Sequence, residues 1–346
     1  MTPAELREKV RAEGLLGQNG PVVAMISGGR DSVCLLDVAV AVRGAEHVRG
    51  MHVNYGLRGD ASDADERLCT ELCAELGVEL EHVRARPDER EPGNLQAWAR
   101  ELRYGAALRL ADELDAAREP EPAPDEEPST SGYSAGKHSA LEGGRTVVAT
   151  GHTASDQLET ILYRLAASPG RRALLGMSAR EGERIVRPLL GVTREQTAAY
   201  CRARGLEWRE DASNEDERYA RVRVRARLVP ALRAVHPAAE ESVLRTAELL
   251  REETELLEGL VDAELAGSES IAVERLAELP PALARLIVVR LAENAAGSHV
   301  PQAGRHVEEI LALAERGGRS QVHVGGNVSA TIERGILTMV LLPPRT

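Results

Sequence analysis

The chain has 346 residues, a formal charge of −12 and 43% hydrophobic residues, enough for one larger and one smaller domain, each with its own core. It has no Phe, two Trp and six Tyr, so the core must be built from Leu, Val, Ile and Ala, and base stacking on aromatic platforms is a poor candidate for the main mode of nucleic-acid binding. MTPAELREKV lacks the apolar stretch of a secretion signal and no apolar run has membrane-spanning length, so the reading is a cytoplasmic protein with no membrane association.

In chain order, PVVAMIS is a short apolar run stopped by two glycines, which predicts a buried strand, with a helix following from Asp31. HVRGMHVNYGL, VELEHVRAR and RTVVATGH repeat the strand pattern, separated by the helical stretches DADERLCTELCAELG and NLQAWARELRYGAALRLADELDAA. This alternation predicts an α/β fold with a doubly wound parallel sheet. TASDQLETILYRL is a helix that Thr153 is placed to cap, IVRPLL a last strand, and TREQTAAYCRARG a helix opened by a capping box of Thr193 and Gln196. Beyond about residue 215 the pattern turns mainly helical and ends in short strands around Gly325 and Gly326, a smaller α+β domain. The expected organisation is a catalytic domain over 1–215, an arginine-rich connecting segment over 216–237 and a C-terminal domain over 238–346. Residues 118–145, rich in Pro, Glu, Ser and Gly, read as a mobile insertion in the first domain.

The four cysteines Cys34, Cys69, Cys73 and Cys201 form no CxxC pair and read as ordinary buried thiols. Net charge hides distribution: Arg218 to Arg233 holds six arginines and no acid, while acids collect elsewhere, including Glu119 to Glu127. Arg221, Arg223 and Arg225 alternate with valines, which by period suggests one strand face; a loop entering a helix is the other geometry. Either form suits phosphate contacts, with a solvated charge run as the plain alternative.

The strongest chemical signal is Ser27-Gly28-Gly29-Arg30-Asp31-Ser32, between a predicted strand and helix where open parallel sheets bind ligands. The glycines allow backbone to approach an anion, the helix N-terminus faces phosphates, and both serines add hydroxyls. Asp31 would repel phosphate unless a divalent cation such as Mg²⁺ stood between them. The Walker lysine is missing. Asp156 and Glu159, three apart, share a helix face and form a carboxylate pair suited to an ammonium group and to accepting its proton. His152 lies near the same helix end, placed to contact nucleotide or position a reacting base. Arg100 and Arg103 share another face, suited to a carboxylate or to charge on an intermediate. Plainer roles stay open: Asp156 as a dipole partner, His52 as a satisfied strand residue, the arginines as a solvated face.

The SGGRDS loop resembles that of the PP-loop, N-type ATP pyrophosphatases, a Rossmann-like family that cleaves ATP between its α- and β-phosphates. Five further stretches resemble the tRNA(Ile)-lysidine synthases in the same order: His52 to Arg58 (HVNYGLR), Asn94 to Tyr104, Gly151 to Thr160 (GHTASDQLET), Arg187-Pro188-Leu189-Leu190, and Asp211 to Asn214 (DASN). Departures from that pattern are Tyr55, Ser155, Ala212, Val222 and the insertion. The resemblance implies ATP and Mg²⁺, with Ser27 to Ser32, His52 and Asn54 at the nucleotide and Asp31 sharing the metal with its phosphates. Asp31, Asp156, Glu159 and Arg103 would be catalytic, and Arg100, Arg103, His152, Asp156 and Glu159 would hold lysine or the base. Arg58, Asn214, Arg221, Arg223 and Arg225 would contact tRNA. The implied partners are a CAU-anticodon tRNA(Ile) and free L-lysine, joined by a carbon–nitrogen ligase reaction; oligomeric state is open, a homodimer included. The rival readings are a tRNA thiolation enzyme with the same loop and a nucleotide- or tRNA-binding protein that has lost catalysis.

Overall fold

Val22, Val23, Ala24 and Met25 are all buried, as a strand covered by helices on both faces requires, and they form β1 (Val22–Met25). The computed structural model describes residues 1–17, 19–86, 94–118, 144–167, 170–210, 218–315 and 318–343. The chain divides into two units, Met1–Ala247 and Glu248–Thr346. Most of the acidic insertion, residues 119–143, and the Asp211–Asn214 segment lie outside the described residues.

The first unit is a six-stranded sheet in the order β3-β2-β1-β4-β6-β5, with β2 Val48–Asn54, β3 Glu79–Arg84, β4 Val147–Ala149, β5 Arg180–Glu181 and β6 Ile185–Val186. All pairs are parallel except β5 with β6, so the doubly wound sheet expected from the alternation is present with a short antiparallel edge that periodicity did not reveal. A two-residue strand is too short to carry a period. The chain winds outward through β2 and β3, then returns past β1 to β4, so β1 and β4 flank the point where winding reverses.

Each sheet face has its own core. Val22, Ala24, Val48, Val147 and Ala149 pack with α1 (Pro3–Glu13), α2 (Arg30–Arg43), α3 (Asp60–Glu75) and α7 (Arg194–Arg204). Val23, Met25, Met51, Val53 and Val148 pack with Tyr104, Ala107, Leu110 and Ala111 of α4 (Leu95–Ala116). Helix α1 was not anticipated, although Thr2 and Glu5 form a capping box around Pro3. The capping box of Thr193 and Gln196 opens α7 as expected. All four cysteines are free and buried, and burial raises the Cys69 and Cys73 thiols, Cys73 to about 11.

The arginine run is helical, which corrects the strand alternative. It forms α8 (Ala220–Arg223), a wide π turn over Val224–Leu228, and α9 (Val229–Val235), after α5 (Ala154–Ala167) and the short α6 (Arg171–Leu174). Val224, Val229 and Leu232 pack on Leu158 and Leu162 of α5. The five-residue step from Val224 to Val229 is what a π turn supplies, so packing of these valines sets the backbone, leaving Arg221, Arg223 and Arg227 exposed while Arg225 turns in toward α5. The segment therefore packs within the first unit.

The division at 247/248 falls inside α10 (Ala239–Leu265). In the second unit, an antiparallel sheet β7-β10-β9-β8 joins Ser270–Ala272, Ile336–Leu341, Val328–Glu333 and Ser320–Gly325. It packs with α11 (Val273–Glu278), α12 (Pro281–Ala296) and α13 (Val307–Glu315) through Leu276, Ile287, Leu291, Ile310 and Val328. Gly326 and Asn327, both at positive φ, make the β8–β9 turn after Gly325, where short strands were foreseen.

Candidate active site

The loop after β1 and the loop after β4 meet at the reversal point of the sheet. Gly28 has a φ of 77°, a conformation that favours glycine, and Gly29 is the N-cap of α2. Ser32 Oγ donates to the Gly29 carbonyl at 2.7 Å and accepts from the Ser27 amide at 3.0 Å, closing the loop over the first turn of α2. A Cβ on Gly151 would sit 3.0 Å from the backbone of Asp31, so any side chain there would push the β4–α5 loop away from α2. The result is a cradle of backbone amides at a helix N-terminus, the arrangement that binds phosphate.

Asp31 faces α7 across this cradle. It accepts from Thr197 Oγ1 and pairs with Arg30 Nε at 3.0 Å. Among the described residues no three His, Cys, Asp or Glu side chains converge as a metal cage. The oxygen donors Asp31, Ser27 and Ser32 fit Mg²⁺ only if nucleotide phosphates complete its shell, which is how that ion is commonly held.

Thr153 caps α5 through Asp156: its amide and hydroxyl donate to Asp156 Oδ2 at 2.8 and 2.7 Å. Asp156 and Glu159 do share one face, and that face is already occupied by a cation. Arg194 Nη2 lies 2.7 Å from Asp156 Oδ1 and Nη1 3.0 Å from Glu159 Oε1, with Nε 3.7 Å from Asp31 Oδ2. Arg225 adds a bidentate pair to Glu159, Nε to Oε1 at 2.6 Å and Nη2 to Oε2 at 3.1 Å. Glu159 is only 4% exposed. Burial alone would raise the Asp156 carboxyl, but Arg194 and the Thr153 hydrogen bonds outweigh it and hold it below the usual carboxylate range. Ser155, where the resemblance leads one to expect an acid, accepts from the Arg194 amide at 3.2 Å and so helps seat α7.

Arg194 and Thr197 were missed in the sequence. One local signal was available: Arg194 is the first residue of a helix, where the dipole disfavours a cation, and such local conflicts mark functional positions.

His152 lies 2.8 Å from Thr150 Oγ1 through Nδ1. Burial pushes its ring down to about 4, against the pull of Asp156 and with the push of Arg187, Arg103 and Arg221, so it is neutral at pH 7. Burial, Arg221 and Arg187 likewise lower Arg164. These arginines form a cationic wall beside His152, and the Nε atoms of Arg103 and Arg187 are buried without hydrogen-bond partners among the described residues. Arg100 stands at its edge, stacked 4.4 Å over Tyr104 and 3.6 Å from Glu181.

Other candidates have local commitments. Asn54 Nδ2 donates to Asp63 and Glu66 at 3.0 and 2.7 Å while its Oδ1 accepts from Gly56, holding the turn into α3. Arg58 pairs with Asp65 at 2.6 Å. His52 is buried, with Nδ1 3.0 Å from the Ile26 carbonyl and Nε2 without a partner among the described residues. Tyr55 donates to the Ala99 carbonyl at 3.1 Å. Arg221 and Arg223 are exposed, Arg225 is not, and Asn214 lies outside the described residues.

Residues 5–117 and 130–232 match the PP-loop domain family. The tRNA(Ile)-lysidine synthase of Symbiobacterium thermophilum is 34% identical over 334 residues, covering 90% of this chain and 63% of that protein. The tRNA(Ile)-lysidine synthase of Salinispora arenicola is 33% identical over 350 residues, covering 97% of this chain and 96% of that protein. The chain thus spans just under two thirds of the first relative and nearly all of the second. In fold it is similar to the U34-tRNA thiolase NcsA from Methanococcus maripaludis, with a TM-score of 0.52 and 18% identity over 72% of this chain and 79% of that one.

Proposed function

The chain belongs to the tRNA(Ile)-lysidine synthase family and carries its PP-loop domain, and from that premise we propose that it uses ATP to ligate free L-lysine to C2 of the wobble cytidine in a CAU-anticodon tRNA(Ile). The observation that carries this reading is the Asp156–Glu159 pair, a carboxylate site that already holds a cationic nitrogen donor at 2.7 and 3.0 Å, beside the phosphate cradle.

The chemistry has two steps. The C2 carbonyl oxygen of the cytidine attacks the α-phosphorus of ATP and pyrophosphate leaves. Lysine's ε-nitrogen then attacks C2, the C2–O bond breaks, and AMP leaves with that oxygen. A Mg²⁺ ion held by Asp31 and the phosphates would offset charge on the nucleotide. Asp156 and Glu159 bind the ε-ammonium and accept the proton that must leave before nitrogen can attack; Asp156, held ionised, is ready for it. Neutral His152 positions the base without adding charge. Arg103, with Arg100 at the rim, faces lysine's carboxylate and the adenylated intermediate. Arg221 and Arg223, exposed on the helical segment, meet tRNA phosphates.

The test is release of pyrophosphate and AMP with a CAU-anticodon tRNA(Ile), with and without L-lysine, followed by mass analysis of the wobble nucleoside. Lysine-dependent AMP release and a cytidine heavier by one condensed lysine are expected. Sulfur incorporation, or tight ATP and tRNA binding with no lysine uptake, would replace this reading with thiolation or with binding alone.

A further inference from the structure

Three carboxylates, Asp31, Asp156 and Glu159, are neutralised here by guanidinium groups, and among the described residues Arg194 alone contacts all three. On the lysine-ligation reading an ε-ammonium must take the place between Asp156 and Glu159. A guanidinium fixed there would repel it at a few ångströms in a partly buried site, where like charges are costly. Arg194 must therefore leave the pair, yet it cannot go far: α7 is seated by the Thr193–Gln196 capping box, by Ser155 and by the Thr197 bond to Asp31. The anion within its reach is whatever binds the α2 cradle, because its Nε already lies 3.7 Å from Asp31 at the mouth of that cradle. The loop itself has no lysine to meet a phosphate.

We propose that Arg194 is the phosphate-binding cation of the adenylation step, parked on Asp156 and Glu159 until ATP draws it away. In the empty site it holds the three acids together. When ATP is bound it contacts the β- and γ-phosphates, offsets the charge gathering on the departing pyrophosphate, and frees the carboxylate pair for lysine. Nucleotide and lysine therefore bind with positive coupling, and by linkage each raises the other's affinity equally.

The experiment measures L-lysine binding to the full chain by equilibrium dialysis, with and without a non-hydrolysable ATP analogue, and lysine-free pyrophosphate release with tRNA. In the wild type the analogue should raise lysine affinity about tenfold. Arg194→Met should bind lysine without nucleotide more tightly than the wild type does, lose the coupling, and release pyrophosphate about a hundredfold more slowly. Weaker lysine binding in Arg194→Met, or unchanged pyrophosphate release, overturns the assignment. Should Arg194→Met fail to fold, Arg194→Lys decides: a retained point charge should keep the coupling and most of the pyrophosphate release, and loss of both in a folded protein defeats the proposal. A wild type that releases pyrophosphate but never binds lysine defeats the lysine reading instead, and the pyrophosphate arm then judges Arg194 alone.

Discussion

The bidentate contact between Arg225 and Glu159 joins the arginine segment to α5, and a double-mutant cycle measures it directly. At 2.6 and 3.1 Å the gross attraction is about 5–6 kcal/mol for an effective dielectric of about 20. Glu159 has been taken almost wholly out of water, while Arg225 remains 34% exposed, so desolvation and screening offset more than half of that. The expected coupling between Glu159→Gln and Arg225→Gln is about 1–2 kcal/mol, read from urea unfolding of the two single variants and the double variant. Glu159→Gln alone should cost more than Arg225→Gln alone, since Glu159 also accepts from Arg194 at 3.0 Å. A coupling under about 0.5 kcal/mol, the ordinary scatter of additivity, would mean that Arg225 does not rest on Glu159 in solution and that the helical packing of residues 220–235 needs revision.

Gly28→Ala should destabilise by about 1–2 kcal/mol because its φ of 77° is left-handed, whereas Gly29→Ala, at −76°, should melt like the parent yet bind ATP more weakly, since its Cβ would crowd the Ser27 hydroxyl at 3.4 Å; equal melting losses in both would refute this. His152 is held near 4 in the fold against 6.5 when unfolded, so its contribution is complete above about pH 6.5 and is lost as pH falls toward 4. Replacing it with Gln should flatten the pH profile of the unfolding free energy over that window by up to about 1.4 kcal/mol per pH unit, less the effect of its partial exposure, and a parallel profile would contradict a neutral ring. Arg223→Ala should weaken tRNA binding at low salt and reduce the slope of log affinity against log salt by about 1, while an unchanged slope would remove Arg223 from the phosphate contacts.

Legibility followed the range of the interactions. The glycine loop, the strand–helix alternation and the Thr193–Gln196 cap depend on neighbours a few residues apart, and each is where the pattern put it. The arginine segment misled by period because packing of Val224, Val229 and Leu232 on α5, rather than arginine–valine alternation, decides its backbone. Asn54 reads as a candidate nucleotide ligand from its motif, yet its side chain is committed to Asp63, Glu66 and Gly56, partners that only the turn into α3 brings within reach.

What the sequence determined by itself is the glycine-rich loop at the end of β1 and the carboxylate pair on α5, since a helix face follows from spacing alone. What only the tertiary structure decided is the charge balance of the site. Arg194 lies 38 residues from Asp156, and Arg225 66 residues from Glu159. No local rule selects those pairs; they form because α7 packs beside α2 and because buried apolar contacts bring residues 224–232 onto α5, leaving guanidinium groups as the nearest partners for carboxylates that burial has removed from water.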